Sequence, residues 1–261
     1  MPRILLTAAV AVAAAVALPS IAQAATIHQD GRTPHRIVLQ DTTGDTNLLS
    51  VEGSKSVVFH DTNAPIDIAG VPTCMPLDAY TVSCAAVRRI ALDLGIGTDI
   101  ARIDTPHPVE LDGGAGNDRY SAAATGAPSR VNFAGGIGLD TASYGLATAG
   151  VDVSVDLEAR DGRPSDDDRI RRDVESVVGS NFADVLTGSP RTQQLSGLEG
   201  DDVITGGTSA ELLSGGRGND RIEARDGAPD TVDCGGQPFF DRAAVDINGE
   251  AAITGCAEVF S

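Results

Sequence analysis

Aliphatic residues recur at one fixed interval in the C-terminal half of the chain. Leu186, Leu195, Ile204, Leu213 and Ile222 stand nine residues apart, each within a nonapeptide that opens on glycine: GSNFADVLT, GSPRTQQLS, GLEGDDVIT, GGTSAELLS and GGRGNDRIE, from Gly179 to Glu223. Nine residues make about 2.5 turns of an α-helix, so a helical ladder at this period would alternate between opposite faces. A glycine turn followed by a short strand keeps the ladder on one face. The period therefore predicts copies of one turn-and-strand unit stacked on each other. If each nonapeptide is half a turn of a flattened parallel coil, residues eighteen apart lie over one another at the strand spacing of about 4.8 Å. Further upstream, HRIVLQD, NLLSVEG, SVVFHD, PIDIAG, VRRIALDLG and VDVSVDLEA alternate apolar and polar positions and predict short strands between polar turns.

The coil places Asp184, Asp202 and Asp220 in a column. Neighbouring carboxylates at about 4.8 Å repel by about 3 to 4 kcal/mol at an effective dielectric of about 20, so the column must protonate or take up cations. Oxygen-only ligands select a hard ion, calcium above all. The intervening half-turns carry Gln193 and Glu211 at the equivalent position without a G-x-G element. The expectation for residues 179–223 is thus calcium along one edge, with the second edge poorly equipped.

GGAGNDRYS (113–121), GGIGLDTAS (135–143) and GGRGNDRIE (215–223) match the pattern GGxGxDxUx, and on these residues the chain resembles the hemolysin-type, or RTX, calcium-binding repeat family. The resemblance implies a right-handed parallel β-roll that binds calcium between successive coils through turn carbonyls and carboxylates. Carried over by position, it implies carboxylate ligands at Asp118, Asp140, Asp184, Asp202 and Asp220, and turn carbonyls near Gly114, Gly116, Gly136, Gly138, Gly197, Gly200, Gly216 and Gly218. Asp99, in LGIGTD, fits more loosely. GSNFAD departs from the pattern by losing its second and fourth glycines, and GSPRTQ by losing the carboxylate.

Composition agrees with a cation-dependent coil. The formal charge is −18 and aromatics make up 3% of the residues, with no tryptophan. That charge opposes compaction and makes nucleic acid and anionic membrane surfaces poor partners. Arg3, the apolar run from Ile4 to Leu18 and Ala22-Gln23-Ala24 read as a secretory signal, with the mature chain beginning near Ala25. No later stretch is apolar enough to span a bilayer. In an exported chain the four cysteines read as disulfides, and proximity in sequence favours Cys74 with Cys84 and Cys234 with Cys256 among the three connectivities.

The sequence thus divides into a signal (1–24), an N-terminal β-rich extension or cap (25–94), irregular calcium-repeat coils with insertions (95–178), a regular nonapeptide β-roll (179–223) and a C-terminal capping segment (224–261) that includes Phe239 and Phe240. The expected fold is all-β, a right-handed parallel β-roll or β-helix solenoid with an irregular N-terminal segment and a disulfide-stapled C-terminal cap. The Asp166–Asp168 run, with Arg169, Arg171 and Arg172 beside it, reads as a solvated loop. No H-E-x-x-H, G-x-S-x-G or P-loop is present, and His28, His35, His60 and His107 read as surface residues without ligand spacing. DTTGDTNLLSVE (41–52) places acids like an EF-hand loop, but Thr46 replaces the required glycine and strand-like sequence replaces the flanking helices. The leading reading is a secreted, non-enzymatic calcium-binding protein acting as a structural or interaction module. A polysaccharide-active hydrolase or lyase on a β-helix, and an adhesion or surface-layer protein, are the alternatives.

Overall fold

The computed structural model describes residues 25–261, apart from 32, 34, 43, 69, 123, 125–127, 157–159, 236–239 and 247–251. The expected signal and Phe239 lie outside the described residues. Every regular element among the described residues is a strand, in sheets of seven, twelve and six. No helix among them is long and apolar enough to cross a membrane.

The twelve-stranded sheet runs through the whole molecule. From Leu48–Glu52 to Ala252–Thr254 its strands pair in parallel, each strand one rung of a stack. The seven-stranded sheet flanks the first part of the stack, ending at Arg169–Ile170, and the six-stranded sheet flanks the second, from Asp152–Ser154 to Glu258–Phe260. Val185–Thr187 pairs with Val203–Thr205, and that strand with Arg221–Ala224, residue for residue at the eighteen-residue offset. The nonapeptide ladder accordingly splits into two columns: Leu186, Ile204 and Ile222 in the flanking sheet, Leu195 and Leu213 in the central one. All five are fully buried, each side chain contributing about 1.5–3 kcal/mol by leaving water.

The residues before 95 join the same sheets. Arg36–Asp41 pairs in parallel with Arg89–Asp93, and Leu48–Glu52 with Ile100–Asp104, while antiparallel neighbours close the N-terminal end. Leu48–Glu52 is itself a strand, so the EF-hand-like loop has no helix after it. Both disulfides form as proximity suggested, Cys74 with Cys84 and Cys234 with Cys256. Residues beyond 224 continue the stack, and its last strands, Ala252–Thr254 and Glu258–Phe260, are exposed along their length.

The central column tolerates one large side chain because its neighbours are small. Tyr120 stands between Ala101 and Ala142 in register, and packs its ring against Phe133 and Tyr144 at 5.8 and 5.9 Å. Its hydroxyl decides the fate of the acidic run that the sequence suggested was solvated. Asp168 is completely buried and its Oδ2 accepts the hydroxyls of Tyr120 (3.0 Å), Ser129 (3.1 Å) and Tyr144 (3.2 Å), while Oδ1 accepts the amide of Val131 (2.8 Å). Asp166 is buried too, and its carboxylate takes the guanidinium of Arg163 in a two-pronged pair (2.9 and 3.1 Å). The loop folds inward because buried hydroxyls need an acceptor, and Arg163 supplies a countercharge to Asp166.

Asp168→Ala should therefore strand several buried donors at once. The expected loss is about 3 kcal/mol or more, read as a lower denaturant midpoint at saturating calcium, with Asp168→Asn losing less.

Candidate metal centre

One local rule positions the acids. In DVLT, DVIT and DRIE the aspartate ends the turn, the next residue faces out and the third enters the core. The acid's own place, between glycine turn and strand, is buried: Asp99, Asp118, Asp140, Asp184, Asp202 and Asp220 are all at most 2% exposed.

These residues form two columns. Asp184, Asp202, Asp220 and Asp241 line the entry to the flanking sheet of the second half, one residue before the strands Val185–Thr187, Val203–Thr205, Arg221–Ala224 and Arg242–Val245. Asp99, Asp118 and Asp140 line the entry to the central sheet, and that column runs on through Glu175, Gln193, Glu211 and Asp230. On the second edge of residues 179–223 stand Gln193 and Glu211. The Glu211 edge continues the Asp118 and Asp140 column, interrupted at Gln193, which turns outward.

Within each column one carboxylate oxygen holds the neighbouring rung. The amide of Asp99 donates to Asp118 Oδ1 (2.9 Å), that of Asp118 to Asp140 Oδ1 (2.8 Å), and that of Asp140 to Glu175 Oε2 (3.0 Å). In the other column the amides of Asp184, Asp202 and Asp220 donate to Oδ1 of Asp202, Asp220 and Asp241 (2.8, 2.9 and 2.9 Å). The second oxygen is left over. Oδ2 of Asp99, Asp118, Asp140, Asp202, Asp220 and Asp241 is buried without a hydrogen-bond donor. Asp184 differs, because Ser180 stands where the repeat has its second glycine and donates its amide to Oδ2 and its hydroxyl to Oδ1.

The glycines leave room for these oxygens. A Cβ on Gly113 would lie 2.7 Å from Asp118 Oδ2 and 2.5 Å from the carbonyl oxygen of Gly135, one rung on. A Cβ on Gly197 would meet Asp202 Oδ2 and lie 2.7 Å from the Gly215 carbonyl. Gly114, Gly116, Gly136, Gly138, Gly200, Gly216 and Gly218 serve differently: each has positive φ, and a Cβ would strike backbone of the preceding rung, the Gly97 carbonyl for Gly116 and the Gly200 carbonyl for Gly218. Gly197, expected to act through a turn carbonyl, makes way for a carboxylate as well.

Burial raises the acids' pKa values. Asp118 and Asp202 are pushed up to about 7 and Asp140 and Asp220 to about 6, first by loss of water and further by neighbouring carboxylates. Asp99, Asp184 and Glu175 are raised for the same first reason. A bare buried carboxylate oxygen costs about 1–3 kcal/mol, and a hard divalent cation removes that cost. Buried, oxygen-only donors with spare lone pairs over glycine fit calcium.

Comparison with known families agrees. The RTX calcium-binding nonapeptide repeat matches this chain in four copies, over residues 110–124 and 187–222. The matched segments are RTX repeats, a class that binds calcium. Asp118, Asp202 and Asp220 lie inside them, while Asp99, Asp140, Asp184 and Asp241 lie outside. No curated protein matches the chain.

Asp241, Glu175 and Asp230 escaped the motif reading. In GGQPFFD one extra residue separates the glycine pair from the acid, and ESVV and DTVD have no glycine pair before them. The shared pattern is acid, a residue outside the core, then a buried residue, independent of the turn. The histidines lie half-buried at the surface, with His60 Nδ1 2.9 Å from Thr81 Oγ1 and His107 Nε2 2.8 Å from the Ser54 carbonyl.

Two outcomes follow from this geometry. Raised carboxylate pKa values stabilise the metal-free fold fully below the unfolded value of 3.8, and that contribution is lost as pH rises through about 6 to 7. Metal-free protein should therefore melt higher at pH 5 than at pH 8, while the calcium-dependent rise in Tm shrinks at pH 5 because protons compete for the same oxygens. Separately, Gly218→Ala should lower stability in calcium by about 2 kcal/mol or more, measured by denaturant titration, since its Cβ has no space and its φ is 147°.

Proposed function

We propose that this is a secreted, non-enzymatic calcium-binding protein whose rungs form a right-handed parallel β-roll, stabilised by extracellular calcium and serving as a structural or interaction module. The observation that carries the reading is the pair of acid columns with donor-less Oδ2 atoms over glycine. Asp118, Asp140, Asp202, Asp220 and Asp241 would hold the ions, with Asp99 closing the first column. Bound calcium supplies the positive charge that these carboxylates lack. The chain's own part is to fix one oxygen of each acid on the preceding rung's amide, so that the other stays aimed and dry.

Three further features support the reading. The disulfides suit an oxidising compartment. The half-buried histidines with resolved ring contacts are engaged with Thr81 and Ser54 rather than with one another. The turn tips present exposed apolar side chains, among them Ile96, Ile137, Leu139 and Phe182, as a binding module would.

Calcium added to metal-free protein should increase β-structure by circular dichroism and raise stability by about 2.7 kcal/mol at a concentration a hundredfold above Kd. Asp202→Asn with Asp220→Asn should remove much of that gain while keeping Oδ1 as an amide acceptor. Equal melting of the parent with and without calcium would refute the reading.

A further inference from the structure

At the corner where the flanking sheet of the second half returns to the central sheet, three acids meet outside any GGxGxD turn. Glu211, Asp226 and Asp230 each bring a carboxylate oxygen within 4.8 Å of the other two. Two of them are neighbours in the central column, where the amide of Glu211 donates to Asp230 Oδ1 (2.9 Å). The third comes from the irregular turn after Arg225, across which the offset from Glu211 to Asp230 is nineteen residues where the regular rungs have eighteen.

The cluster is aimed and incompletely satisfied. Glu211 is 3% exposed; its Oε1 accepts the amide of Ser209 (3.1 Å), and its Oε2 is buried with no donor. Asp226 uses Oδ1 on the amide of Ala228 (2.7 Å), and its Oδ2 is likewise buried and donor-less. Its own amide is tied to Asp246 Oδ2 (3.0 Å), so the turn is held in place from the next rung. Glycines again make the space: a Cβ on Gly207 would lie 2.7 Å from Glu211 Oε1, and one on Gly206 3.1 Å from Oε2. The adjacent cation does not neutralise the site, because Arg225 is turned to Glu223, at 2.5 and 3.0 Å.

We propose that Glu211, Asp226 and Asp230 form an additional calcium site on this second edge, built by carboxylates alone and fastening the 225–230 turn to the stack. Three protein carboxylates converging at this spacing suit calcium better than magnesium, which keeps most of its water. The site stands apart from the Asp202 and Asp220 corner, so it can succeed or fail independently of the reading above.

Calcium titration of the full chain by calorimetry tests it. Glu211→Gln with Asp226→Asn keeps the oxygens that accept from Ser209 and Ala228, and should reduce the stoichiometry by one ion without lowering the metal-free Tm. In the same titration Asp202→Asn with Asp220→Asn should retain that ion. Asp226→Asn alone, confined to the irregular turn, should weaken the same ion at least tenfold and guards against misfolding of the double variant. Unchanged stoichiometry and affinity in both Glu211→Gln/Asp226→Asn and Asp226→Asn would overturn the proposal, leaving three acids that merely share a proton. Loss of ions only from the Asp202 and Asp220 variant would likewise reject this site while sustaining the glycine-turn sites.

Discussion

Each strand in this stack begins on an amide that is turned away from water and must find an acceptor on the adjoining rung. A carboxylate does this from Asp118 to Asp99, from Asp140 to Asp118, and along Asp202, Asp220 and Asp241. An asparagine would accept the same bond without carrying a buried charge; Asn47, at the first place of the central column, instead only donates, its amide to Asp99 and its Nδ2 to Asp41 Oδ2 (3.0 Å). The chain nevertheless keeps a full charge at successive rungs, in a molecule of net charge −18. Dehydration and mutual repulsion both work against that choice. The spare oxygens of Asp118, Asp140, Asp202 and Asp220, held dry over glycines, are where a cation would turn the same choice into a stabilising one.

The glycines divide into two kinds by what crowds them. Those opening a turn, such as Gly113 and Gly197, give way to a carboxylate; those within it, such as Gly116 and Gly218, give way to the carbonyl below and need positive φ. Leu198 shows that the second requirement bends. It sits at φ 82° in the place where Gly216 sits at 108°, one rung on, and carries a side chain there at a steric cost. Ser180 shows a different departure. By satisfying both oxygens of Asp184 it removes that acid from the set with a spare lone pair, so a residue that matches the repeat's aspartate by position differs from it in chemistry.

The parallel stack, the ladder and the aspartates of the regular repeats were legible in the sequence because period nine and its double constrain side-chain direction and spacing together. The division of acids into two columns was not. Asp118 and Asp220 occupy the same place in their motifs, yet the first half turns its glycine corner into the central sheet and the second half turns it out of that sheet. A local motif carries no record of which sheet follows it. Burial of Asp166 and Asp168 was equally hidden, since it depends on Tyr120, Tyr144 and Ser129 brought from far away in sequence. Glu211 was visible as an acid in register, but its partner Asp226 belongs to a turn of another length.

Apolar packing is unequal along the stack. The first part carries Phe59, Tyr120, Phe133 and Tyr144 fully buried, a hydroxyl network on Asp168 and antiparallel strands with the Cys74–Cys84 bridge at its end. From residue 176 to 232 the central column is Val177, Leu195, Leu213 and Val232, facing Leu186, Ile204 and Ile222, with no aromatic ring among them. An aromatic side chain buries about 150–250 Å², so the later rungs bring less apolar area against the same backbone entropy and against an equally dense row of acids. Their margin without a cation is therefore the smaller one. The register is most regular where the apolar core is thinnest, and there ions held between the columns of carboxylates would do what side-chain packing does earlier in the chain.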